Sequence, residues 1–274
     1  MIYLYFQPLQ KERGIFMERK GKDLRKLVYT SIIIAIATVL NVLTSYLALG
    51  GAAALKISVS AIFIKIPAVL FGPLYGGITG ALADILGYLI KPNGGYIFPM
   101  TLTAALGCVL TGFIFKYTKK LNSTVIKKIL ISLSAFFIGF SFINNISVTF
   151  FSESNYAGFI LSSEKIKLLF IIWFELIGIG LAFILFIDFV LGRLLKKLYD
   201  ENFIKLLVTF MFPNILVTTL NTFILKIFIP SLSKVGFWTL YAPRLIEEVV
   251  AIVVQSIVIS YVIRLYYKIS KENG

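Results

Sequence analysis

Long apolar segments separated by short polar stretches follow one another along the whole chain, and they limit the folds open to it. Residues 27–49 are apolar almost throughout and exceed the ~20 residues that a membrane-spanning helix requires. Hydrophobic residues make up 58% of the chain and its mean hydropathy is +0.91, more apolar than an ordinary soluble domain. A closed barrel would need alternating segments of about ten residues, so we predict an all-α polytopic membrane protein. The predicted spans are 27–49, 57–71, 73–91, 98–117, 129–151, 166–191, 203–229 and 241–265.

The 27 lysines and arginines are unevenly divided between the two sides that these spans define. If the amino terminus lies inside, 19 of the 27 fall in cytoplasmic segments: before residue 27, at 116–128, at 193–205 and after 263. Cytoplasmic loops of membrane proteins carry such an excess, so both termini are expected in the cytoplasm. The net charge of +14 is therefore interpreted as a topology signal whose partner is the anionic lipid bilayer, and no nucleic-acid partner is expected.

The chain has few residues suited to catalysis. It contains no histidine and a single cysteine, Cys108, which lies in an apolar run beside small residues. The usual zinc ligands and the Ser-His and Cys-His nucleophile pairs are therefore missing from the sequence. We expect no catalytic residue, no metal site and no cofactor, and we interpret Cys108 as a packing residue.

The stretch 72–103 has the composition of a site, with one acid, seven glycines and three prolines between two apolar runs. Asp84 lies twelve residues past the Gly72-Pro73 break, or ~18 Å along a helix, where a carboxylate in the bilayer costs ~2.5 to 3.5 kcal/mol. Such an acid predicts a functional site; the alternative is an aspartate paired to another span for packing alone. The preceding segment 57–71 is short and interrupted by Lys65 and Pro67, which predicts a helix around a cavity or an ordinary kink.

Polar side chains recur at helical spacing on three other spans. They are Thr38, Asn41 and Ser45; Asn214, Thr218 and Asn221; and Arg244, Glu248 and Gln255. Arg244 follows Pro243 in what we predict to be the first turn of the last span. An arginine at the outer mouth can hold a carboxylate or phosphate bidentately; the alternative is an internal pair with Glu247 or Glu248.

Small residues recur four apart on the first and third spans, where helix backbones can approach closely. The pairs are Ser31 with Ala35 and Gly76 with Gly80. Such pairs pack helices within one protein or dock a second membrane protein onto it.

Two blocks of residues form a recognisable pattern. The first block holds Leu82-Ala83-Asp84, Gly87-Tyr88, Lys91-Pro92, Gly94 or Gly95, Tyr96, Phe98-Pro99 and 101–105; the second holds Asn221-Thr222, 243–246 and Gln255. Together they resemble a known family, the folate-type substrate-binding (S) components of energy-coupling factor (ECF) vitamin transporters. The resemblance covers roughly residues 27–117 and 203–267. Glu247-Glu248 departs from the pattern, because a basic residue is expected there.

The resemblance implies a six-helix core with two added spans. We therefore expect a basic cytoplasmic segment at 1–26, the first four core helices at 27–117, an inserted helix pair at 118–202, the last two core helices at 203–267 and a cytoplasmic tail at 268–274. Two added spans keep both termini on the same side, in agreement with the charge distribution. Asp188, in the inserted pair, lies near Arg193 and is expected to be a paired helix-end charge.

The resemblance also implies a vitamin-capture subunit in the plasma membrane of a prokaryote, which works with a transmembrane coupling protein and two ATP-binding subunits. The sequence contains no Gly-x-x-x-x-Gly-Lys-Ser/Thr phosphate loop, so ATP hydrolysis is expected in those separate subunits and not in this chain. Docking onto the coupling protein is expected to use the small residues of the first and third spans: Ser31, Ala35, Gly76 and Gly80.

The resemblance implies a folate as the captured molecule. Asp84 or an asparagine would accept hydrogen bonds from the pterin amino edge, and the loop 91–99 would close over the ligand. Aromatic residues would stack on the pterin, and Lys91, Arg244 or Lys56 would neutralise the anionic tail. The candidate substrate-binding residues are Asp84, Tyr88, Lys91, Asn93, Tyr96, Phe98, Asn221 and Arg244.

Three alternative functions remain open at this point. The chain can be an S component for another vitamin, such as riboflavin, thiamine or a queuosine precursor. It can be a secondary transporter coupled by protonation of Asp84, which would need no ATPase partners. It can also be an intramembrane hydrolase that uses Glu247 and Glu248 as acid and base.

Overall fold

A computed structural model describes residues 23–42, 59–92, 94–194 and 202–272. Within these ranges the regular structure is helical, with no strand. The helices are α1 (Asp23–Val42), α2 (Val59–Phe71), α3 (Pro73–Ile90), α4 (Phe98–Thr118), α5 (Ser123–Phe150), α6 (Asn155–Leu161), α7 (Glu164–Lys167), α8 (Phe174–Leu194), α9 (Asn202–Phe228), α10 (Pro230–Ser233) and α11 (Phe237–Glu272). A π-helical segment, Leu168–Trp173, joins α7 to α8.

The described helices confirm the prediction of an all-α polytopic membrane protein. Seven of them are long and apolar enough to cross a membrane, and α2 is a shorter apolar helix of 13 residues. Each predicted span corresponds to one of these eight helices. At 36 residues, α11 exceeds its predicted span of 241–265 at both ends.

The described residues divide into two compact units. One is drawn from Met1–Thr118 and Leu206–Gly274, and the other from Lys119–Lys205. The second unit coincides closely with the stretch 118–202, whose origin as an insertion stays a prediction.

In the first unit, a tight turn and small residues bring α2, α3 and α4 together. The turn is at Gly72, whose φ of 103° favours glycine, and Pro73 then starts α3. A Cβ added to Gly112 of α4 would lie 2.6 Å from the Cα of Pro73. The α4 backbone therefore passes directly against this turn, and only glycine leaves room for it.

The glycines of α3 face its neighbours inside the unit. A Cβ on Gly76 would lie 2.5 Å from the Cβ of Ala68 in α2, and one on Gly80 would lie 2.6 Å from the carbonyl oxygen of Ala104 in α4. Both glycines are buried. They therefore act in helix packing, the first of the two roles considered for them.

Replacing Gly76 by alanine is expected to lower the stability of the protein by about 1–3 kcal/mol, because the new methyl group overpacks the α2–α3 contact. The carbonyl oxygen of Cys108, 2.9 Å from that methyl position, blocks the other direction of escape. Thermal unfolding of the purified protein in detergent measures the effect. Gly139→Ala is the control, because nothing lies within 4 Å of its added Cβ. Equal melting temperatures for the two variants would contradict this packing.

Helix α9 packs against α4 and against α11, and side-chain contacts show the relative direction of each pair. Between α4 and α9, the Thr118 and Thr209 hydroxyls lie 2.8 Å apart at one end, and Thr103 bonds to Asn221 at the other. Between α9 and α11, the Thr219 and Tyr241 hydroxyls lie 2.9 Å apart. Both pairs are therefore antiparallel, which places the polar stripes of α9 and α11 side by side.

In the second unit, polar side chains of α5 bond to backbone carbonyls of the π-helical segment and of α8. Ser141 donates to the carbonyl of Ile171 at 2.6 Å, and Asn144 donates to that of Phe170 at 2.9 Å. A π-helical segment disturbs the regular hydrogen-bond ladder, and carbonyls at membrane depth need partners inside the protein. Asn144 in turn accepts a bond from the Tyr156 hydroxyl at 2.6 Å.

Asp188 pairs with a different residue from the one predicted. Its carboxylate lies 2.7 Å from the ammonium of Lys127 in α5, whereas Arg193 lies over the ring of Phe189 at 4.3 Å. Asp188 is therefore a paired charge, and Lys127, close to the start of α5, is a partner on the facing helix that the sequence did not indicate.

Candidate functional site

A chain of three side chains joins α3, α4 and the loop between them. The Thr101 hydroxyl, in the first turn of α4, donates to Oδ2 of Asp84 at 2.5 Å. The Tyr96 hydroxyl lies 2.5 Å from the same Thr101 oxygen. Asp84 is half-buried. It therefore keeps some accessible surface although its carboxylate already has a partner inside the protein. A carboxylate has about four acceptor positions, so Asp84 can accept further hydrogen bonds.

The loop between α3 and α4 folds back over this group. Its Gly94 has a φ of 80°, and the carbonyl of Gly94 accepts a bond from the Tyr88 hydroxyl at 3.2 Å. The rings of Tyr88 and Tyr96 lie 4.9 Å apart between their centroids. Two of the predicted aromatic residues therefore meet beside Asp84, while Phe98 lies exposed at the first position of α4.

Asn221 lies in a second polar group on the adjacent helix pair. The Thr103 hydroxyl donates to its side-chain oxygen at 2.5 Å, and Asn221 is half-buried. Because Thr101 and Thr103 are two residues apart in α4, the Asp84 group and the Asn221 group lie at a similar level of that helix but on different faces of it. The structure thus assembles predicted residues from both blocks around the start of α4.

Glu248, on α11, accepts a bond from Thr218 of α9 at 2.9 Å. Thr218 lies one turn from Asn221 on α9. Glu248 therefore has a hydrogen-bond partner on the facing helix. Together with Thr218 it belongs to the polar residues between α9 and α11.

A third polar group was not predicted as a site. The Lys65 ammonium of α2 donates to the side-chain oxygen of Asn214 and, at 2.8 Å, to that of Gln255. Asn214 also donates to Gln255 at 3.2 Å, and the ammonium lies 5.2 Å from the centre of the Phe210 ring. The stripe residues were visible in the sequence, but their common partner was not, because helix rotation decides which side chains face each other.

The remaining candidates lie nearer the helix ends. Lys91 ends α3, and its backbone N–H donates to the carbonyl of Gly87 at 3.1 Å. Arg244 is half-buried on α11 and interacts electrostatically with Glu247, in agreement with one alternative considered for it. Pro243 lies in the interior of α11, not in its first turn as predicted, because the helix already begins at Phe237. Asn93 lies outside the described residues, as do Ser45 and Lys56.

The residues predicted to dock a partner divide into two kinds. Ser31 and Ala35 are exposed on α1, and the Ser31 hydroxyl donates to the carbonyl of Leu27 in its own helix at 3.0 Å. Gly76 and Gly80 are buried against α2 and α4. Of these four residues, Ser31 and Ala35 therefore lie on the surface of the described structure and the two glycines lie inside it, and docking through any of them stays a prediction.

The polar groups of the first unit form an ordered set of donors and acceptors. Asp84, Asn221 and Glu248 supply acceptor oxygens, and Lys65 supplies a cation. In the described part of the chain, no cluster of three or more histidine, cysteine or acidic residues could hold a metal ion. The arrangement is suited to binding a polar molecule through hydrogen bonds and charge.

Comparisons with known proteins identify the family to which the chain is similar. A family model described as "ECF transporter, substrate-specific component" matches residues 25–190. Over 79 residues the chain is 37% identical to the folate transporter FolT of Clostridium novyi (strain NT), a stretch that covers 29% of this chain and 44% of that relative. The alignment thus spans less than half of the relative's length. No solved structure matches the chain significantly.

Proposed function

The chain belongs to the substrate-specific components of ECF transporters, and from that premise we propose that it captures a folate at the outer side of the membrane for import. The family consists of transporter components, not enzymes. With seven helices long enough to cross a membrane, the chain is a multi-pass membrane protein of vitamin uptake. The identity of the vitamin and of the partner subunits is our proposal.

The observation that carries the proposal is the Asp84 group. A pterin ring presents an amino group and a neighbouring ring N–H along one edge, and a carboxylate can accept both bonds. Thr101 bonds one carboxylate oxygen of Asp84, which leaves the other free to face a ligand. Tyr88 and Tyr96 lie beside it as flat surfaces for stacking, and the 37% identity to a folate transporter supports the same ligand class.

We place the rest of the folate toward the loop that follows α3. Asn221 would add a hydrogen bond to the ligand from α9, and Phe98 would add an aromatic edge. The anionic glutamate tail would lie near Lys91 and Arg244, where an arginine or lysine offsets its charge.

We propose that the outer end of the site is the end that carries the α3–α4 loop, with both termini in the cytoplasm. The excess of lysine and arginine in the opposite segments supports this orientation. A folate would then enter between the α3–α4 loop and the start of α11, and the loop would close over it.

Transport itself requires partners in this proposal. A transmembrane coupling protein would dock onto the exposed Ser31 and Ala35 face of α1, where small side chains allow close helix approach. Two ATP-binding subunits would supply the energy, and their ATP hydrolysis would reorient the chain to release folate inside.

Titration of the purified chain in detergent tests the proposal. We expect one-to-one binding of folate and 5-formyltetrahydrofolate in calorimetry, and no heat of binding with riboflavin or thiamine. The control is the same titration into detergent solution without the chain. Binding of riboflavin or thiamine instead would keep the family and refute the folate assignment.

A further inference from the structure

Lys65 is a cation inside the helix bundle whose partners are all neutral. It lies midway along α2, and its ammonium donates to the amide oxygens of Asn214 and Gln255. Of the described residues, none places a carboxylate within ion-pair distance of it. An ionisable side chain at membrane depth is costly and usually pairs with another charge or with backbone carbonyls, so an ammonium bonded to two side-chain amides needs an explanation.

The amide partners are held firmly in place. Asn214 and Gln255 are 4% and 2% exposed, and they bond to each other at 3.2 Å. The Lys65 side chain as a whole is half-buried, whereas its ammonium lies deep among neighbouring atoms. An ammonium has three N–H donors, and these two acceptors use two of them.

The helix register places Lys65 closer than Asp84 to the Gly72 turn, which is the inner end of α2 and α3 in the proposed orientation. Ala68 and Gly76 face each other four residues before and after Gly72, which fixes the level of α2 against α3. Lys65 lies seven residues before Gly72 and Asp84 twelve residues after it. At ~1.5 Å per residue, the lysine is roughly 8 Å closer to the Gly72 turn than the aspartate is.

Glu248 on α11 interacts electrostatically with Lys65, although the two do not form an ion pair in contact. Glu248 lies seven residues from Gln255 on α11, about two helical turns or ~10 Å along the axis. Its carboxylate accepts the hydroxyl of Thr218. In the described residues, the interior thus presents hydrogen-bond acceptors in its outer part and, at greater depth, an ammonium that no carboxylate contacts.

We propose that Lys65 is a ligand-binding residue whose ammonium donates a hydrogen bond to an electron-rich oxygen of the captured molecule, at the inner end of the site. The inference rests on the proposed function and extends it. With its tail toward the outer end, a folate offers Lys65 the oxo group of its pterin ring, whereas a folate bound in the reverse direction offers a tail carboxylate. Either one supplies the negative charge density that the protein does not place next to Lys65.

Two substitutions test the proposal in the full chain. Lys65→Met removes the charge with little change in length, and Gln255→Glu places a carboxylate next to the ammonium. Each is expected to weaken folate binding about tenfold or more. The control is Lys116→Met, which removes the same charge from an exposed lysine near the end of α4, and its folate affinity is expected to stay within about twofold.

Gln255→Glu separates ligand binding from a structural role. If Lys65 serves only to hold α2 against α9 and α11, a carboxylate partner strengthens that contact and leaves folate affinity unchanged. If Lys65 binds the ligand, the new carboxylate competes for the ammonium, so affinity falls while the melting temperature does not. If Lys65→Met fails to fold, Gln255→Glu alone still tests whether Lys65 binds the ligand.

Fragments of folate identify the oxygen. Loss of affinity for folate, pteroate and 6-hydroxymethylpterin in Lys65→Met indicates the pterin oxo group. Loss for folate alone, with the pterin fragment unaffected, indicates a tail carboxylate. Unchanged affinity for all three in both variants would overturn the proposal, whereas an unaltered chain that binds none of them refutes the proposed function itself.

Discussion

Folate uptake is expected to fall to background when this chain is produced without a coupling protein and ATP-binding subunits, although the chain alone still binds folate. The sequence has no phosphate-binding loop with which to hydrolyse ATP. In the proposed function, the energy for release inside therefore comes from other subunits. Uptake of labelled folate by cells that make the chain alone, or the chain with the whole set of partners, measures the effect.

Two controls make this result specific. Cells that contain the partners with catalytically inactive ATPases should match the background, because assembly without hydrolysis does not complete transport. A protonophore should leave the early rate of uptake unchanged while ATP is still available. Uptake by the chain alone that collapses with the protonophore would contradict the account and favour proton-coupled transport through Asp84.

Replacing Asp84 by asparagine is expected to weaken folate binding more than about tenfold, or ~1.4 kcal/mol. The substitution keeps the shape of the side chain and leaves one oxygen that Thr101 can still bond. It replaces the other oxygen by an amide nitrogen, which is a donor and cannot accept from the pterin amino edge. Calorimetric titration of the variant gives the change in Kd directly.

Asp188→Asn is the matched control for this experiment. It makes the same chemical change at a carboxylate of the second unit, which pairs with Lys127 at 2.7 Å. Its folate affinity should equal that of the unaltered chain even if its stability falls. Equal folate affinities for Asp84→Asn and the unaltered chain would remove Asp84 from the pterin site.

The helices were predictable because their signal is local. A run of apolar residues of spanning length is enough to predict a membrane helix, and each predicted span corresponds to a helix. Helix ends were less predictable, as α11 shows: it continues through Tyr266 and Lys268, beyond the apolar run, to Glu272. Polar residues can continue a helix beyond the membrane, so the end of an apolar run does not predict the end of the helix.

The pairing of side chains between helices was not predictable in the same way. The sequence identifies Asp84 as an unusual acid, but nothing in its spacing indicates that Thr101 and Tyr96 complete the group. Lys65 appeared only as an interruption of a short apolar segment. The contacts of both residues depend on how far each helix is rotated and displaced against its neighbours, which small residues such as Gly76 determine through packing.

A structure of the chain with folate bound is the most direct test of the site. We predict the pterin amino edge within ~3 Å of the Asp84 carboxylate, the ring against Tyr88 or Tyr96, and a ligand oxygen next to Lys65. A folate bound elsewhere, with Asp84 still bonded only to Thr101, would contradict the account.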